Sequence, residues 1–539
     1  MVAVNFLFAR SKAVTPPIGL MSSLICAARH AARRGASPRL ARRQLSTAPG
    51  YNPFESRGAL GYTPPLTTPL SVFAINPAVL RTEYAVRGEI VLRAAQIRDQ
   101  LKRDASLGRP SSFPFDGLVE CNIGNPQALR QQPISFNRQV LALLTMPEML
   151  GWPSVRDNFP PDALARAEEY LSYIPEGLGA YTESQGFKFV RDQVAAFITS
   201  RDEGVRASAD DIFLTDGASK GVQMLLKMIL CDPLHGALVP VPQYPLYSAS
   251  LALDSCQMLG YGLCEANDWS LPVEELERSL NESRNRGVQA RVLVVINPGN
   301  PTGNSLPLEN MRDIVRFCAN ENLVLMADEV YQENVYKEGA EFLSFRRVAF
   351  EMNAFEGPDP LQLASFHSTS KGFLGECGFR GGYVELNGFP SDVTDILYKI
   401  ASLSLCSGTP GQIVTGVMVN PPAPGDESYT TYISEREAIL SSMKQRADKL
   451  STAMNTLEGV TCNPAEGAMY AFPQITLPQK ACKAAEAAGS AARRPPALRC
   501  PRRLYIRHGV VARGSVSRWQ MGTARGAGNG GGEGAGDRG

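Results

Sequence analysis

The chain carries several apolar, β-branched runs that each stop abruptly at a glycine, an asparagine or an acidic residue. Three of them lie at 212–214, 292–296 and 323–327. Runs of this composition predict buried strands, and the polar stop after each one predicts a turn. Between residues 131 and 425 such strands alternate with helical segments, as βαβ units do. The predicted fold class is therefore α/β.

A lysine flanked by hydroxyl groups and a glycine marks one candidate site. It lies in the run Ser368-Thr369-Ser370-Lys371-Gly372, and Arg380 follows in a glycine-rich segment. A lysine of this kind can form an imine with an aldehyde cofactor, and Ser368 and Arg380 can hold a phosphate. The pattern alone is weak, because Ser-x-x-Lys also occurs in serine hydrolases. A surface lysine beside a glycine turn is the alternative.

The strand at 212–214 breaks at Gly217 into a predicted helix start with small residues. A helix N-terminus offers free N–H groups and the positive end of the helix dipole. Gly217 and Ala218 would let a phosphate come close, and Ser219 would add a hydroxyl donor. An ordinary strand-to-helix turn explains the same residues.

Two further strands end in polar residues suited to a ring-shaped ligand. Asn300, in the rigid turn at 297–303, is placed to donate to a cofactor oxygen at the carboxyl end of its strand. Asp328 is costly to bury unless it is paired, and a protonated pyridine nitrogen is such a partner. Tyr331 could reach the phenolic oxygen of the same ring. The alternatives are a simple loop and an aspartate that caps a helix.

Together, in this order, the four segments resemble class I aminotransferases of fold type I, which use pyridoxal 5′-phosphate. The resemblance is closest to the alanine aminotransferase subfamily, covers residues 75–490, and is carried by 242–247, 296–303 and 365–383. It implies a large mixed-sheet cofactor domain and a smaller α+β domain whose C-terminal part is aberrant. It also implies ping-pong transamination of L-alanine and 2-oxoglutarate to pyruvate and L-glutamate.

The resemblance assigns roles around the cofactor ring. Lys371 would hold the internal aldimine and shuttle the proton between the substrate α-carbon and the cofactor. Asp328 would pair with the pyridine nitrogen, and Tyr331 and Asn300 would hydrogen-bond the ring oxygen. Tyr244 would stack on the ring face.

Further roles concern the phosphate, the substrate and a second subunit. The phosphate would be held by Gly217, Ala218, Ser219, Ser368 and Arg380. Tyr181 resembles the tyrosine that reaches a phosphate in the neighbouring subunit, which implies a homodimer. Gly124 resembles the backbone contact to the carboxylate of the substrate.

Four nearby residues are given structural roles, and rival functions stay open. We expect His367 to be a hydrogen-bonded packing residue, Cys377 to be inert, and Glu329 and Glu376 to make structural contacts. An aminotransferase or lyase of the same fold with another amino-acid substrate would share every cofactor residue. A chain that binds the cofactor without turnover is the other alternative.

Composition excludes several partners. The 539 residues carry a net charge of +1 and 20% charged residues, which does not suggest a nucleic-acid surface. Eleven cysteines without a Cys-x-x-Cys pair predict reduced thiols and no metal site. No apolar run near the length of a membrane span is present, so we expect no membrane partner. The expected partners are amino-acid and 2-oxo-acid substrates.

The N-terminal segment differs in composition from the middle of the chain. Residues 1–50 contain arginines, a lysine and no acidic residue, and they are rich in alanine and serine. This composition is typical of a mitochondrial transit peptide, and a disordered basic arm is the alternative. The segment Arg42–Thr47 resembles a matrix-protease site with the cut after Leu45. The predicted location is the mitochondrial matrix.

The predicted organisation has five parts: transit peptide 1–45, N-terminal arm and small-domain lead-in 46–130, large domain 131–425, partial small domain 426–490, and tail 491–539. Within them we expect a strand at 76–79, helices at 84–102 and 428–457, and a strand at 467–472.

The tail at 491–539 is rich in arginine and glycine and contains no recognisable strand or amphipathic helix. In the family this region completes the small domain and supplies the arginine that binds the substrate carboxylate, and no tail arginine matches that motif. The tail is therefore expected to be disordered or mistranslated. A genuine basic extension that contacts RNA or anionic lipid is the alternative. A shifted reading frame is favoured because the change begins inside a domain.

Overall fold

The structure is a computed structural model that describes residues 75–84, 89–121 and 123–480, together with the backbone of three short strands at 3–4, 503–505 and 510–512. The rest of the predicted transit peptide and of the tail lies outside the described residues. None of the described helices combines the length and the apolar character that crossing a membrane requires.

The described elements are numbered in chain order. The strands are β1 (Ala3–Val4), β2 (Leu118–Glu120), β3 (Ile212–Leu214), β4 (His235–Val241), β5 (Gln257–Gly262), β6 (Gln289–Ile296), β7 (Val324–Asp328), β8 (Leu363–Ser368), β9 (Gly382–Asn387), β10 (Val460–Thr461), β11 (Tyr470–Ala471), β12 (Gln474–Thr476), β13 (Arg503–Tyr505) and β14 (Val510–Ala512). The α-helices are α1 (Pro77–Arg81), α2 (Glu89–Ser106), α3 (Ser135–Thr145), α4 (Pro153–Asn158), α5 (Pro161–Tyr173), α6 (Lys188–Arg201), α7 (Ala218–Ile229), α8 (Leu246–Leu253), α9 (Val273–Asn285), α10 (Leu308–Glu321), α11 (Phe345–Glu351), α12 (Ser391–Ser402), α13 (Thr409–Val419) and α14 (Tyr429–Asn455). Short 3₁₀ turns lie at Gln127–Leu129, Pro147–Gly151, Gly177–Gly179, Ala209–Asp211 and Glu265–Asn267.

The centre of the protein is a seven-stranded mixed sheet with the order β3-β9-β8-β7-β6-β4-β5. Strands β5, β4, β6, β7 and β8 are parallel, and β9 is antiparallel to both β8 and β3. Strand β3 therefore points the same way as the parallel group. The carboxyl ends of β3, β6, β7 and β8 consequently lie at one edge of the sheet, where open α/β sheets bind ligands. The predicted α/β class is confirmed.

Helices cover both faces of this sheet because the strand side chains alternate in direction. Val292 and Val294 of β6 belong to a core cluster with residues of α7, α8 and α12. Leu293 and Val295 of the same strand belong to a second cluster with residues of α9, α10 and α11. The central strands are thus buried on both sides, which explains their continuous apolar sequences.

The lead-in segment corrects one sequence prediction. Residues 77–81 form a helix rather than the strand expected at 76–79. Asn76 caps this helix, since its Oδ1 accepts a hydrogen bond of 2.9 Å from the N–H of Ala78, and Pro77 suits the first helical position. The β-branched Val79 favours a strand, but the cap decides the local structure.

A smaller layer packs on the long helix α14, which matches the helix predicted at 428–457. Met443 and Ala447 of α14 share a core cluster with Tyr470 and Tyr331. Only two residues of the strand predicted at 467–472 are extended, as β11. This cluster connects the small layer with the end of β7, and so it closes one side of the sheet edge.

The tail contains two short strands, which corrects the expectation of none. β13 pairs antiparallel with β12 beside β10, and β14 pairs antiparallel with β2. Their sequences, Arg-Leu-Tyr and Val-Val-Ala, include β-branched and aromatic residues that favour extended backbone. The arginine-rich composition around them concealed these short runs.

Candidate active site

Most of the predicted site residues come together at the carboxyl edge of the central sheet. Asp328 is the last residue of β7, Lys371 follows β8, and Asn300 follows β6. Gly217 connects β3 to α7, and the N–H of Thr215 donates to the carbonyl of Gly382, where β9 begins. The convergence follows from the strand directions, because all these turns leave the same edge.

The carboxyl of Asp328 is buried, with 6% of the residue exposed. Its Oδ2 accepts a hydrogen bond of 2.7 Å from the hydroxyl of Tyr247. Its Oδ1 is buried and has no hydrogen-bond partner among the described residues. Burial raises the pKa of Asp328, against the opposing effects of the Tyr247 hydrogen bond, the nearby backbone N–H of Val330 and the charge of Lys371. A cationic N–H donor at Oδ1 would satisfy this carboxylate.

The amine of Lys371 points into the space above the sheet edge. Its Nζ lies 3.5 Å from the carbonyl oxygen of Gly124 and 5.6 Å from the centre of the Tyr331 ring. The preceding Ser370 is buried, which fixes the backbone at the base of the lysine side chain. The backbone of Lys371 is therefore fixed, whereas its amine makes a long contact to Gly124, which a substrate can replace.

Asn300 and Tyr331 form a buried polar pair. Nδ2 of Asn300 donates to the hydroxyl of Tyr331 at 3.2 Å, while Oδ1 of Asn300 has no partner among the described residues. Burial, together with the neighbouring Tyr470, raises the pKa of Tyr331 well above its ordinary value. The hydroxyl is therefore protonated at neutral pH and can donate a hydrogen bond.

Arg380 lies against the start of α7 and forms a cradle with Gly217. Its Nη2 donates to the carbonyl of Asp216 at 3.1 Å, and a Cβ added to Gly217 would lie 2.5 Å from Nη2. Gly217 has φ +76°, a conformation that favours glycine. Ala218 and Ser219 lie in the first turn of α7, so their N–H groups have no hydrogen-bond partner within the helix. A helix N-terminus beside an arginine is a binding site for a phosphate.

The two serines before Lys371 have different surroundings. The Ser368 hydroxyl donates to the carbonyl of Gly381 at 3.1 Å and accepts from the N–H of Ser370 at 3.1 Å. The Ser370 hydroxyl, by contrast, lies 3.4 Å from Nη1 of Arg380. Ser370, which the sequence did not single out, therefore contacts the cradle, whereas the hydroxyl of the predicted Ser368 is bonded to Gly381 and Ser370.

The two predicted tyrosines occupy different environments. Tyr244 packs partly buried against the core beneath the sheet edge, and its hydroxyl lies 2.8 Å from that of Tyr84. Burial raises the pKa of Tyr244. Tyr181 is 77% exposed, beyond the 3₁₀ turn at Gly177–Gly179. It does not join the other site residues within one chain.

Two tyrosines at the site have no role in the sequence-based assignment. Tyr247 lies within the segment 242–247, whose sequence supported the family resemblance, and it binds Asp328. Tyr470 accepts a hydrogen bond of 3.1 Å from the N–H of Gly124, and its ring lies edge-on to Tyr331 at 6.0 Å. The predicted carboxylate contact at Gly124 thus already has a partner. Tyr470 was predicted only as part of a strand.

His367 and Glu329 lie inside the protein rather than at the open edge. The His367 ring stacks with Phe197 at 6.4 Å, and burial lowers the pKa of His367 to about 3. It is a packing residue, but its Nδ1 has no hydrogen-bond partner among the described residues. Glu329 Oε1 accepts from the N–H of Phe345 at 2.8 Å, which is the structural contact expected.

Glu376 and Cys377 support the loop that follows Lys371. Glu376 accepts two hydrogen bonds from Arg138, at 2.9 and 2.8 Å, in a bidentate ion pair. The thiol of Cys377 contacts the carbonyl oxygens of Ser370 at 3.3 Å and Gly124 at 3.7 Å. These contacts hold the loop close to the main chain at Gly124.

The arrangement fits a flat cationic ring that carries a phosphate and an aldehyde. Asp328 Oδ1 offers an unpaired acceptor, the cradle at Gly217 and Arg380 offers donors for a phosphate, and Lys371 offers an amine. Within the described residues, histidine, cysteine and carboxylate side chains form no cluster that could hold a metal ion.

Comparison with known proteins gives one consistent family. Residues 153–514 match the family described as "Aminotransferase class I and II", so the match reaches into the tail region. Alanine aminotransferase 2 of Panicum miliaceum is 51% identical over 78% of this chain and 86% of its own length. Mitochondrial alanine aminotransferase 2 of Arabidopsis thaliana is 50% identical over 83% of this chain and 81% of its own.

A solved structure supports the fold. An alanine aminotransferase from Pyrococcus furiosus superposes with a TM-score of 0.58 at 21% identity, over 75% of this chain and 86% of that one. At this identity the likeness shows a common fold and not a common substrate.

Proposed function

The chain is a member of the class I and II aminotransferases, and we propose that it transfers the amino group of L-alanine to 2-oxoglutarate, giving pyruvate and L-glutamate. The observation that carries this proposal is that the Lys371 amine lies at the same edge of the sheet as Asp328, whose Oδ1 has no hydrogen-bond partner among the described residues. Relatives at about half identity over most of the chain are named alanine aminotransferases, which supports the substrate pair.

The chain uses pyridoxal phosphate, the cofactor of its family. We assign Asp328 Oδ1 to the pyridine nitrogen and the hydroxyl of Tyr331, with Asn300, to the ring oxygen. The cradle formed by Gly217 and Arg380 would hold the phosphate. When bound, the cofactor supplies an electron sink for the electron pair left at the α-carbon of the substrate.

Lys371 carries the proton transfer in this proposal. Its Nζ would take the proton from the α-carbon and return it on the other side of the reaction, as a general base and then an acid. The carbonyl of Gly124, 3.5 Å away, holds the amine on the side of the site where the small layer closes over it. The ring of Tyr331 also lies close to the amine, with its centre 5.6 Å from Nζ.

The test separates cofactor binding from chemistry. The purified full chain, loaded with pyridoxal phosphate, receives L-alanine without any 2-oxo acid, and the cofactor absorbance is followed. We expect conversion to the pyridoxamine form by the parent and by Lys220→Ala. Lys371→Ala should show a loss of at least about a thousandfold in rate, typical of removing a catalytic group. Equal rates in Lys371→Ala and Lys220→Ala would contradict the assignment.

A substrate profile tests the amino-acid pair. One relative, 45% identical over 77% of this chain, is named glutamate–glyoxylate aminotransferase 2 of Arabidopsis thaliana. We expect a higher kcat/KM with L-alanine and 2-oxoglutarate than with L-glutamate and glyoxylate. The opposite preference would be consistent with an aminotransferase but would contradict the proposed pair of substrates. Normal alanine turnover by the full chain would also contradict the expectation that the chain lacks the arginine that binds the substrate carboxylate.

A homodimer would complete the site. Leu403 is 86% exposed, and Leu405 and Tyr181 are also exposed. The Ser184 hydroxyl donates to the carbonyl of Leu405 at 2.8 Å, which joins the two exposed leucines to the segment that carries Tyr181. The side chains of Leu403, Leu405 and Tyr181 form an exposed apolar patch. The same loop reaches the cradle, because the N–H of Gly408 donates to Asp216 Oδ1 at 2.9 Å. A second chain packed on the patch would bring its own Tyr181 to this phosphate site.

Sedimentation of point variants tests the dimer. Leu403→Asp should shift the parent dimer towards monomer because it places a charge in an apolar interface. Leu457→Asp, at a leucine 40% exposed elsewhere, is the matched control and should sediment as the parent does. A monomeric parent, or a dimer unaffected by Leu403→Asp, would contradict this interface.

The mitochondrial matrix is the proposed location. The arginine-rich, acid-free segment 1–50 supports it, and relatives of Arabidopsis thaliana and Dictyostelium discoideum are named mitochondrial. Import of the labelled full chain into isolated mitochondria should give a protease-protected product that begins at Ser46. An uncleaved product that stays accessible to protease would contradict the proposal.

A further inference from the structure

Two cysteines and a histidine meet at the surface where α7 leads into β4, away from the carboxyl edge of the sheet. Cys231 is exposed, and Cys256, which immediately precedes β5, is half-buried. Gly236 pairs with Gln257 in the parallel β4–β5 ladder, which places His235 beside Cys256 at the start of the two strands. Residues far apart in the chain are thus held next to each other by the sheet.

The thiol of Cys256 lies against the backbone on both sides of Cys231. Its Sγ is 3.9 Å from the carbonyl oxygen of Leu230 and 3.6 Å from that of Asp232. The side chain of Gln257 reinforces this approach, since its Nε2 donates to the carbonyl of Pro233 at 3.0 Å. The thiol of Cys256 therefore lies beside the main chain on both sides of Cys231, and a disulfide requires such proximity of the two residues.

His235 is placed to accept the proton of Cys231. The backbone N–H of Cys231 donates to Nδ1 of His235 at 3.3 Å, so Nδ1 is the unprotonated ring nitrogen. The Sγ of Cys231 lies 3.6 Å from the same Nδ1. An exposed thiol beside a ring nitrogen has a proton acceptor at hand when its sulfur attacks an oxidant.

Cys256 has the opposite character. Its thiol also contacts the carbonyl of Asp254 at 3.5 Å, and Oδ1 of Asp254 is paired with Lys227 at 2.7 Å. Burial raises the pKa of the Cys256 thiol, with the Asp254 carboxylate acting in the same direction. Cys256 is therefore kept as a neutral thiol beside a more reactive one, which is the usual relation of a resolving to an attacking cysteine.

We propose that Cys231 and Cys256 are a redox modification site that forms a reversible disulfide when the protein meets a hydroperoxide. Cys231 gives its proton to Nδ1 of His235 as its sulfur attacks the terminal oxygen of the hydroperoxide. The O–O bond breaks, Cys231 becomes a sulfenic acid, and the departing oxygen takes the proton from His235 and leaves as water or an alcohol. The Cys256 sulfur then attacks Cys231, the S–O bond breaks, and water leaves with the proton of the thiol. Both sulfurs are oxidised and one hydroperoxide is reduced.

The test uses the native, cofactor-loaded full chain titrated with hydrogen peroxide at neutral pH. After alkylation and digestion, we expect a cross-linked peptide that contains Cys231 and Cys256 and disappears with dithiothreitol. Cys256→Ser should leave Cys231 as a sulfenic acid that dimedone captures, and Cys231→Ser should give neither product. Cys264→Ser and Cys406→Ser, at half-buried cysteines elsewhere, should form the cross-link as the parent does.

His235→Gln separates the proposed base from a structural role. At neutral pH the variant should form the disulfide roughly tenfold more slowly, because no ring nitrogen takes the Cys231 proton as the sulfur attacks. Near pH 9 its rate should approach that of the parent, since hydroxide in solution can then take the proton in place of the imidazole. Over-oxidation of Cys231 without any cross-link, or a cross-link to a different cysteine, would overturn the proposal. So would a His235→Gln rate unchanged at every pH.

Discussion

The hydroxyl of Tyr247 donates a 2.7 Å hydrogen bond to Oδ2 of Asp328 and leaves Oδ1 as the open acceptor at the sheet edge. Tyr247 is fully buried on α8, whereas Asp328 ends β7, so the contact joins a helix on one face to the strand end. Burial keeps the tyrosine protonated by raising its pKa well above the ordinary value. Tyr247 therefore fixes the orientation in which Asp328 can meet a ring nitrogen.

Tyr247→Phe should weaken both cofactor affinity and turnover. Loss of one hydrogen bond to a charged acceptor costs about 1.5 kcal/mol, which corresponds to roughly a tenfold fall in kcat/KM. Tyr261→Phe is the matched control, because the Tyr261 hydroxyl is equally buried but donates to the carbonyl of Val294 at 2.7 Å. Steady-state kinetics and cofactor titration should show the fall for Tyr247→Phe only. An equal fall in both variants would indicate a general packing effect.

Gly217→Ala should impair phosphate binding more than it impairs folding. A side chain at φ +76° costs about 1–3 kcal/mol of stability. Its Cβ would also displace the Arg380 guanidinium, since the distance to Nη2 would be 2.5 Å. Gly204→Ala, at φ +91° with open space around it, carries the backbone strain alone. Urea melts should fall similarly in both variants, while cofactor affinity should fall at least about tenfold only in Gly217→Ala.

The sequence predicted those site residues whose position depends on the end of a strand. Asp328 and Gly217 follow short apolar runs, and a strand that ends in a polar residue places that residue at the sheet edge whatever the rest of the fold does. The helix at 77–81 was missed for a local reason. The side chain of Asn76 caps it, and that cap outweighs the strand preference of Val79.

Tyr470 shows what the sequence could not predict. It is 346 residues from Gly124, yet its hydroxyl accepts the Gly124 N–H at 3.1 Å. No periodicity or turn signal relates two such positions, because their contact depends on how the layer built on α14 packs against the sheet edge. The sequence also did not predict the contact of Ser370 with Arg380, because this contact depends on the course of the turn after β8.

Gly124→Ala should reduce alanine turnover by crowding the amine of Lys371. The added Cβ would lie 3.0 Å from the Tyr470 hydroxyl and 3.5 Å from Nζ of Lys371. We expect kcat/KM to fall at least about tenfold, as overpacking typically costs 1–3 kcal/mol. Tyr470→Phe should partly restore the activity of the Gly124→Ala chain, because it removes the oxygen that the methyl group meets first. Gly151→Ala, where a Cβ meets nothing within 4 Å, is the control. Additive losses in the double variant would rule out this contact as the cause.

Glu329→Gln should flatten the pH dependence of stability above pH 6.5. Burial raises the pKa of Glu329 to about 8, while the charge of Arg201 opposes the shift. Because the folded state holds this proton more tightly than the unfolded chain, Glu329 contributes stability that is fully present below its ordinary pKa of 4.5 and is lost progressively as the pH rises to about 8, with little further loss above that. His367 acts in the opposite sense, but its depressed pKa of about 3 affects stability only below its unfolded value near 6.5.

The measurement is therefore a series of urea melts from pH 6.5 to 9. The Gln amide oxygen can still accept from the N–H of Phe345, as Oε1 of Glu329 does at 2.8 Å, so the variant should fold. Glu376→Gln, at a buried glutamate paired with Arg138, is the control for loss of a carboxylate. The parent and Glu376→Gln should lose stability with increasing pH, whereas Glu329→Gln should lose much less. An equal slope in all three would mean that Glu329 is already ionised in the folded protein at neutral pH.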